Sequence, residues 1–169
     1  MKAYKFAILK NESAEDHLEW IKACEESDHK IFADVIDLSR NDWLERVMAK
    51  DYDCFLTRPP GTVAYYKQMY DERLYIIHNV LEKKIYPTYE EVLIYENKRM
   101  LAYWLQANEI PHARTHVFYE KSEADLFGRE CSFPVIGKTA IGASGSGITI
   151  IRNNAELKQY LSQAFSLKG

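Results

Sequence analysis

The period of apolar and polar positions changes several times along the chain, and the changes divide it into alternating strands and helices. Tyr4 to Leu9 is a largely apolar run that predicts a buried first strand. Ser13 is placed to cap the helix that follows, in which Ala14, Leu18, Ile21 and Cys24 recur at helical spacing and are expected to face inward. Ile31 to Leu38 predicts a second strand, followed by a short helix with a stripe of Trp43, Leu44, Val47 and Met48. Tyr52 to Leu56 predicts a third strand. Beyond it Val63, Tyr66, Tyr70, Leu74, Ile77 and Leu81 mark the core face of a long helix. Ile85 and Tyr86 form a short fourth strand that Pro87 ends. Strands alternating with helices predict a parallel sheet covered on both faces, with ligands at the carboxyl ends of its strands.

The second half reads differently. Thr88 and Glu91 make a capping box for a short helix, and Asn97 starts another whose inward residues are Met100, Leu101, Trp104 and Leu105. That helix is expected to stop near Asn108 and Pro111. Thr115 to Tyr119 predicts a strand, Ser122 a cap for a helix running to Arg129, and Phe133 to Ile151 two strands around a small-residue tip. Asn153 and Glu156 repeat the capping pattern before an amphipathic helix carrying Leu157, Leu161 and Phe165. The expected class is α/β: a parallel-sheet domain over residues 1–88, then a smaller α+β subdomain over residues 89–169. No internal repeat or low-complexity segment is visible.

With 47% hydrophobic residues the chain can bury a core. Its 22 basic and 25 acidic residues give a net charge of −3 without a basic cluster, so neither nucleic acid nor an anionic membrane is the expected partner. Cys24, Cys54 and Cys131 are scattered among apolar neighbours without the spacing of a zinc or redox motif, and are expected to be buried, reduced thiols of a cytoplasmic protein. Phe6 to Leu9 is too short for a signal peptide or a membrane span.

Candidate chemistry concentrates in FPVIGKTAIGASGSGITII, residues 133–151. Four of the seven glycines fall there, at Gly137, Gly142, Gly145 and Gly147, with Ser144 and Ser146 between them. Small residues let successive backbone amides close on an anion, and Lys138 adds a point charge, so the segment suggests a loop that folds over phosphates. It is neither a Walker A motif nor a dinucleotide fingerprint, and a plain hairpin tip remains the alternative. Arg58, held by Thr57, Pro59, Pro60 and Gly61 after the third strand, is a candidate carboxylate or phosphate ligand; the alternative is a surface arginine paired with a nearby acid. His112 and His116 lie on a segment expected to be extended, which does not suit a metal pair, and Ser144 or Ser146 with Lys138 lacks the oriented third group of a nucleophile site.

Taken in order, these features resemble the front half of an ATP-grasp ligase, nearest in layout to the ribosomal-protein glutamate ligase and glutathione synthetase type. The resemblance rests on Thr57 to Pro60, Ile85 to Thr88, Asn97 and Lys98, Ile110, Pro111 and Thr115, and Phe133 to Ile136 with Lys138 running into Gly142, Ser144, Gly145 and Gly147. It implies a pre-ATP-grasp domain followed by the small lid subdomain. It also implies ATP phosphates held by Lys98, Lys138 and the loop Gly142, Ser144, Gly145, Ser146 and Gly147. The implied reaction is phosphorylation of a small-molecule or peptide carboxylate by ATP, then attack of an amine or thiol on the acyl phosphate, with Arg58 a substrate contact. Asn97 stands where such proteins commonly have aspartate, and Glu109 and Ala113 replace a glycine and a proline. The magnesium ligands and adenine hinge belong to a subdomain expected beyond Gly169, so the chain alone is expected to be an incompetent ligase. A non-catalytic binding or assembly module with a vestigial lid is the competing expectation, and apolar surface on the lid and last helix would favour a homo-oligomer.

Overall fold

The computed structural model describes residues 2–142 and 147–166. The chain forms two compact units, Met1–Glu96 and Asn97–Gly169.

The first unit is a parallel sheet of β1 (Ala3–Lys10), β2 (Lys30–Asp37), β3 (Cys54–Thr57) and β4 (Ile85–Tyr86), in the order β2-β1-β3-β4. Ala3 lies opposite Lys30 and Lys10 opposite Asp37, while Leu9 lies opposite Thr57 and Phe55 opposite Ile85. The chain leaves β1 for β2 on one side and returns to β3 on the other, so the order reverses between β1 and β3. Ligands of doubly wound sheets bind outside the carboxyl ends at such a point. The connecting helices are α1 (Asp16–Glu25), α2 (Trp43–Met48) and α3 (Ala64–Tyr75), the last continuing as a π-helical turn over Ile76–Val80.

Leu9, Leu38, Phe55, Tyr70, Leu74 and Ile77 centre the core of this unit. Tyr70 and Thr57 share a hydrogen bond of 2.5 Å, and the Tyr70 hydroxyl also lies 3.1 Å from the Leu9 carbonyl oxygen. Polar groups buried between α3 and the sheet are thereby satisfied. The core also contains Val92 of α4 (Tyr89–Ile94), and this is why the unit runs on to Glu96 instead of ending at Thr88.

The expected inward stripe of α1 holds at Ile21 and Cys24, which are half-buried, but not at Leu18, which is exposed, or at Ala14, which is exposed and precedes the helix; His17 and Trp20 join the inner face, and no residue of the helix is fully buried. Trp20 takes the inner face because its ring packs edge-on against Tyr86, with centroids 5.9 Å apart. The three cysteines are free but half-buried, less enclosed than the sequence suggests, and burial pushes the Cys24 and Cys54 thiols upward.

The second unit contains α5 (Lys98–Ala107), α6 (Lys121–Glu130), the antiparallel pair β5 (Val135–Lys138) and β6 (Ile148–Ile151), and α7 (Asn154–Ser166). Ala124, Ile151, Leu157 and Leu161 form its core, with Phe118, Phe133, Val135 and Phe165 packed around them. A side chain at Gly137 would begin 2.6 Å from the Tyr160 ring, so glycine leaves the room that this ring of α7 occupies over β5. The caps read from sequence are present: the Thr88 and Glu91 box, Asn97 accepting from the Met100 amide at 3.1 Å, and Asn153 accepting from the Glu156 amide at 3.0 Å.

Three expectations for this unit fail. Residues 115–119 form no strand; His116, Phe118 and Phe127 pack their rings together instead, with the His116 and Phe127 centroids 4.7 Å apart. Ser122 lies inside α6, which begins at Lys121 without a side-chain cap. On α5 Leu101 is exposed and Ala102 is the buried residue. Among the described residues no helix is long and apolar enough to cross a membrane.

Candidate functional site

Alternation along β5 sends Val135 and Gly137 toward α7 and leaves Ile136 and Lys138 on the open face. Directly paired residues of an antiparallel ladder share a face, so β6 sets Ile148 beside Lys138 and Ile150 beside Ile136. All three isoleucines are exposed. Lys138 therefore stands at one end of a small apolar strip, and among the described residues no hydrogen bond or ion pair engages its ammonium.

The tip beyond Lys138 is pinned at its base. The Thr139 amide donates to the Gly147 carbonyl oxygen at 3.1 Å, and the Thr139 hydroxyl donates to that of Ile141 at 3.1 Å. Gly142 and Gly147 have φ of 146° and 70°, conformations that other residues adopt only at a cost. Ser144, Gly145 and Ser146 lie outside the described residues.

The start of α5 meets this hairpin. Asn97 forms a β-bridge with Ile141, the Lys98 amide donates to the Ala140 carbonyl oxygen at 2.9 Å, and the Lys98 ammonium donates to the carbonyl oxygen of Gly142. The two lysines predicted from sequence thus arrive at one hairpin from positions 40 residues apart in the chain, one on its strand and the other against its tip. Asn97 keeps the capping function that an aspartate would have. Sequence reading missed Thr139 and the isoleucine strip, although the period-two placement of Ile136, Lys138, Ile148 and Ile150 carried the second signal.

Arg58 belongs to the first unit. Its Nε lies 3.3 Å from Asp16 Oδ2, and its backbone carbonyl accepts from the side-chain amide of buried Asn11 at 2.9 Å. The acid-paired alternative thus holds, yet the pairing uses Nε, and among the described residues nothing engages the two η nitrogens. The following loop is fixed by Glu12, whose Oε1 accepts from the amides of Gly61 at 3.2 Å and Thr62 at 3.0 Å. Beside Arg58 lies a cavity of about 530 Å³ walled by Trp20, Pro59, Pro87, Val92 and Tyr95. His112 and His116 are not joined in a site: the His112 ring contacts the Ile110 carbonyl oxygen and His116 stacks on Phe118.

Residues 98–169 match the family described as carbamoyl-phosphate synthase L chain, ATP binding domain. No curated protein matches the chain by sequence. Among solved structures it is similar to the ATP-grasp RimK domain protein of Sphaerobacter thermophilus, with a TM-score of 0.68 at 16% identity, over 98% of this chain and 60% of that one. The biotin carboxylase domain of the Hydrogenobacter thermophilus 2-oxoglutarate carboxylase, in complex with MgADP, ADP and bicarbonate, aligns with a TM-score of 0.69 at 15% identity, over 98% of this chain and 41% of that one. The D-alanyl-alanine synthetase A of Vibrio cholerae aligns with a TM-score of 0.63 at 14% identity, over 98% and 57%. The chain thus spans between two fifths and three fifths of these structures. Its fold is the one these structures share, and its residues 98–169 match the carbamoyl-phosphate synthase L chain ATP binding domain.

Proposed function

We propose that this chain supplies the ATP-phosphate-binding part of a ligase that joins a carboxylate to an amine or thiol through an acyl phosphate. The observation that carries the reading is the convergence of Lys98 and Lys138 on one glycine-rich hairpin. Phosphoryl transfer needs little covalent help from a protein and much charge neutralisation, which two ammonium groups and the amides of a glycine tip provide. The strip of Ile136, Ile148 and Ile150 gives the flat base of a nucleotide an apolar surface adjoining the Lys138 charge. Arg58, whose side chain is more than half exposed, is the proposed contact for the substrate carboxylate. The described residues bring no three His, Cys, Asp or Glu side chains together at a metal site, so none is assigned to magnesium.

The test is hydrogen exchange and limited proteolysis of residues 139–147 with and without ATP. Nucleotide should protect the hairpin, and Lys138→Ala should remove most of the protection. Protection that survives both Lys138→Ala and Lys98→Ala would overturn the phosphate assignment and leave the lid without a nucleotide role.

A further inference from the structure

We infer that the cavity beside Arg58 takes a zwitterionic amino acid with an apolar or aromatic side chain. This names the substrate class of the carboxylate site and rests on the reading of Arg58 given above.

Asp16, Glu19, Trp20 and Ala23 are spaced three, one and three residues apart, so they share a face of α1, and that face lines the cavity. Glu91 enters from α4 and Arg58 from the end of β3. The lining carries three carboxylates against one guanidinium, a formal charge of −2.

Two of the carboxylates are already engaged. Asp16 Oδ2 accepts from the Asn11 amide at 2.9 Å and pairs with Arg58 Nε. Glu91 Oε2 accepts from the Thr88 amide and hydroxyl, both at 2.8 Å, and these bonds hold its carboxyl below the usual carboxylate range. Glu19 has no hydrogen bond or ion pair among the described residues. It is the acid left for a ligand ammonium, while the Arg58 η nitrogens are the fork left for a ligand carboxylate.

Between the two charges the wall is apolar and aromatic. Trp20 is held edge-on by Tyr86, and Pro59, Val92 and Tyr95 complete the surface. About 530 Å³ falls within the roughly 300–1,000 Å³ of small-molecule sites and exceeds what a bare carboxylate needs. A plain apolar carboxylic acid would meet the uncompensated negative charge, and a plain amine would leave the arginine fork unused. A zwitterion satisfies both groups at once.

Calorimetric titration of the intact chain tests this with L- and D-phenylalanine, phenylalaninamide and 3-phenylpropionate. One phenylalanine enantiomer should bind about tenfold or more tightly than both the amide and the propionate, each lacking one charged contact. Glu19→Gln, a change on an exposed surface, should remove the preference over 3-phenylpropionate and spare the preference over the amide. Arg58→Leu should do the reverse. Equal binding of 3-phenylpropionate or the amide, an unchanged preference in Glu19→Gln, or no binding at millimolar concentration would overturn the inference. Nucleotide protection of residues 139–147, measured in the same samples, separates the two readings: protection without phenylalanine binding sinks this inference alone. Phenylalanine binding without protection sinks the nucleotide assignment and leaves the amino-acid site standing.

Discussion

The Lys98 ammonium donates to the carbonyl oxygen of Gly142, joining the first residue of α5 to the entrance of the glycine-rich tip. Under the proposed function Lys98 would then have two tasks, orienting the tip and supplying charge, and Lys138 only the second. Lys98→Met is expected to quicken proteolysis of residues 139–147 even without nucleotide, while Lys138→Met leaves that rate unchanged. Both variants should weaken ATP binding, by about ten- to a hundredfold for loss of one charged hydrogen bond. Identical apo cleavage rates for the two variants would remove the orienting task from Lys98.

Gly147 lies against Thr139 at the base of the same tip. Its φ of 70° costs a residue with a side chain about 1–2 kcal/mol, and an added Cβ would also collide with the Thr139 hydroxyl. Gly147→Ala should lower the denaturant midpoint of the chain, and Thr139→Ala in the same molecule should recover the steric part but not the backbone part. Equal losses in the two backgrounds would show that the threonine is no obstacle.

The α/β class and the parallel sheet were legible because β-branched runs alternate with helical stripes, and the caps at Thr88, Asn97 and Asn153 were legible because each depends on residues only three apart. What depended on distant packing was not legible. Nothing within α1 itself says that Trp20 will meet Tyr86 and turn Leu18 outward. The run Thr115 to Tyr119 has strand composition, yet its rings find Phe127 before they find a partner strand. Lys67 falls beside the core stripe of α3 and is buried, because Asp71 one turn later and the Val92 carbonyl of α4 accept its protons.

The site divides in the same way. Lys138 and the glycines were singled out because a phosphate site would use those residue types, and Lys98 only through the family resemblance. The bridge from Asn97 to Ile141 that brings them together spans two distant segments and leaves no local mark. Arg58 was legible as a residue but not as a pair, since its partner Asp16 comes from a different crossover of the sheet.

Acid stability should depend on Asp34. Its carboxylate accepts from Lys50 Nζ at 2.7 Å and from the Tyr52 hydroxyl at 2.9 Å. The Lys50 bond first, then that of Tyr52, holds the Asp34 carboxyl below its ordinary value, while burial and the Asp34 charge push the Tyr52 hydroxyl up to about 12. Because the folded value lies below the unfolded one, the contribution is complete above about pH 3.9 and is lost as pH falls through the folded value. Asp34→Asn should therefore be less stable than the parent at pH 7 and approach it at pH 3. A gap in urea midpoint that stays constant across that range would sink the assignment.

The pair of Lys67 and Asp71 gives the largest expected stability effect. Lys67 is 1% exposed, and its ammonium lies 2.5 Å from Asp71 Oδ1 and 3.0 Å from the Val92 carbonyl oxygen, tying α3 to α4. Burial pushes Lys67 down and Asp71 up, against their mutual attraction, so desolvation is the larger influence on each. Removing one partner then leaves a buried charge uncompensated, and Lys67→Met should cost about 3–5 kcal/mol at pH 7. In that variant Asp71 titrates above its unfolded value, so the variant's deficit should shrink as pH falls through the folded value and be smallest below about 3.9, where the carboxyl becomes neutral in both states. Adding Asp71→Leu should recover most of the loss at pH 7, apart from the share due to the Val92 carbonyl. Chemical denaturation of the two single variants and the double variant measures the coupling directly. A double variant as unstable as the sum of the singles would mean that the ion pair is not the unit joining the two helices.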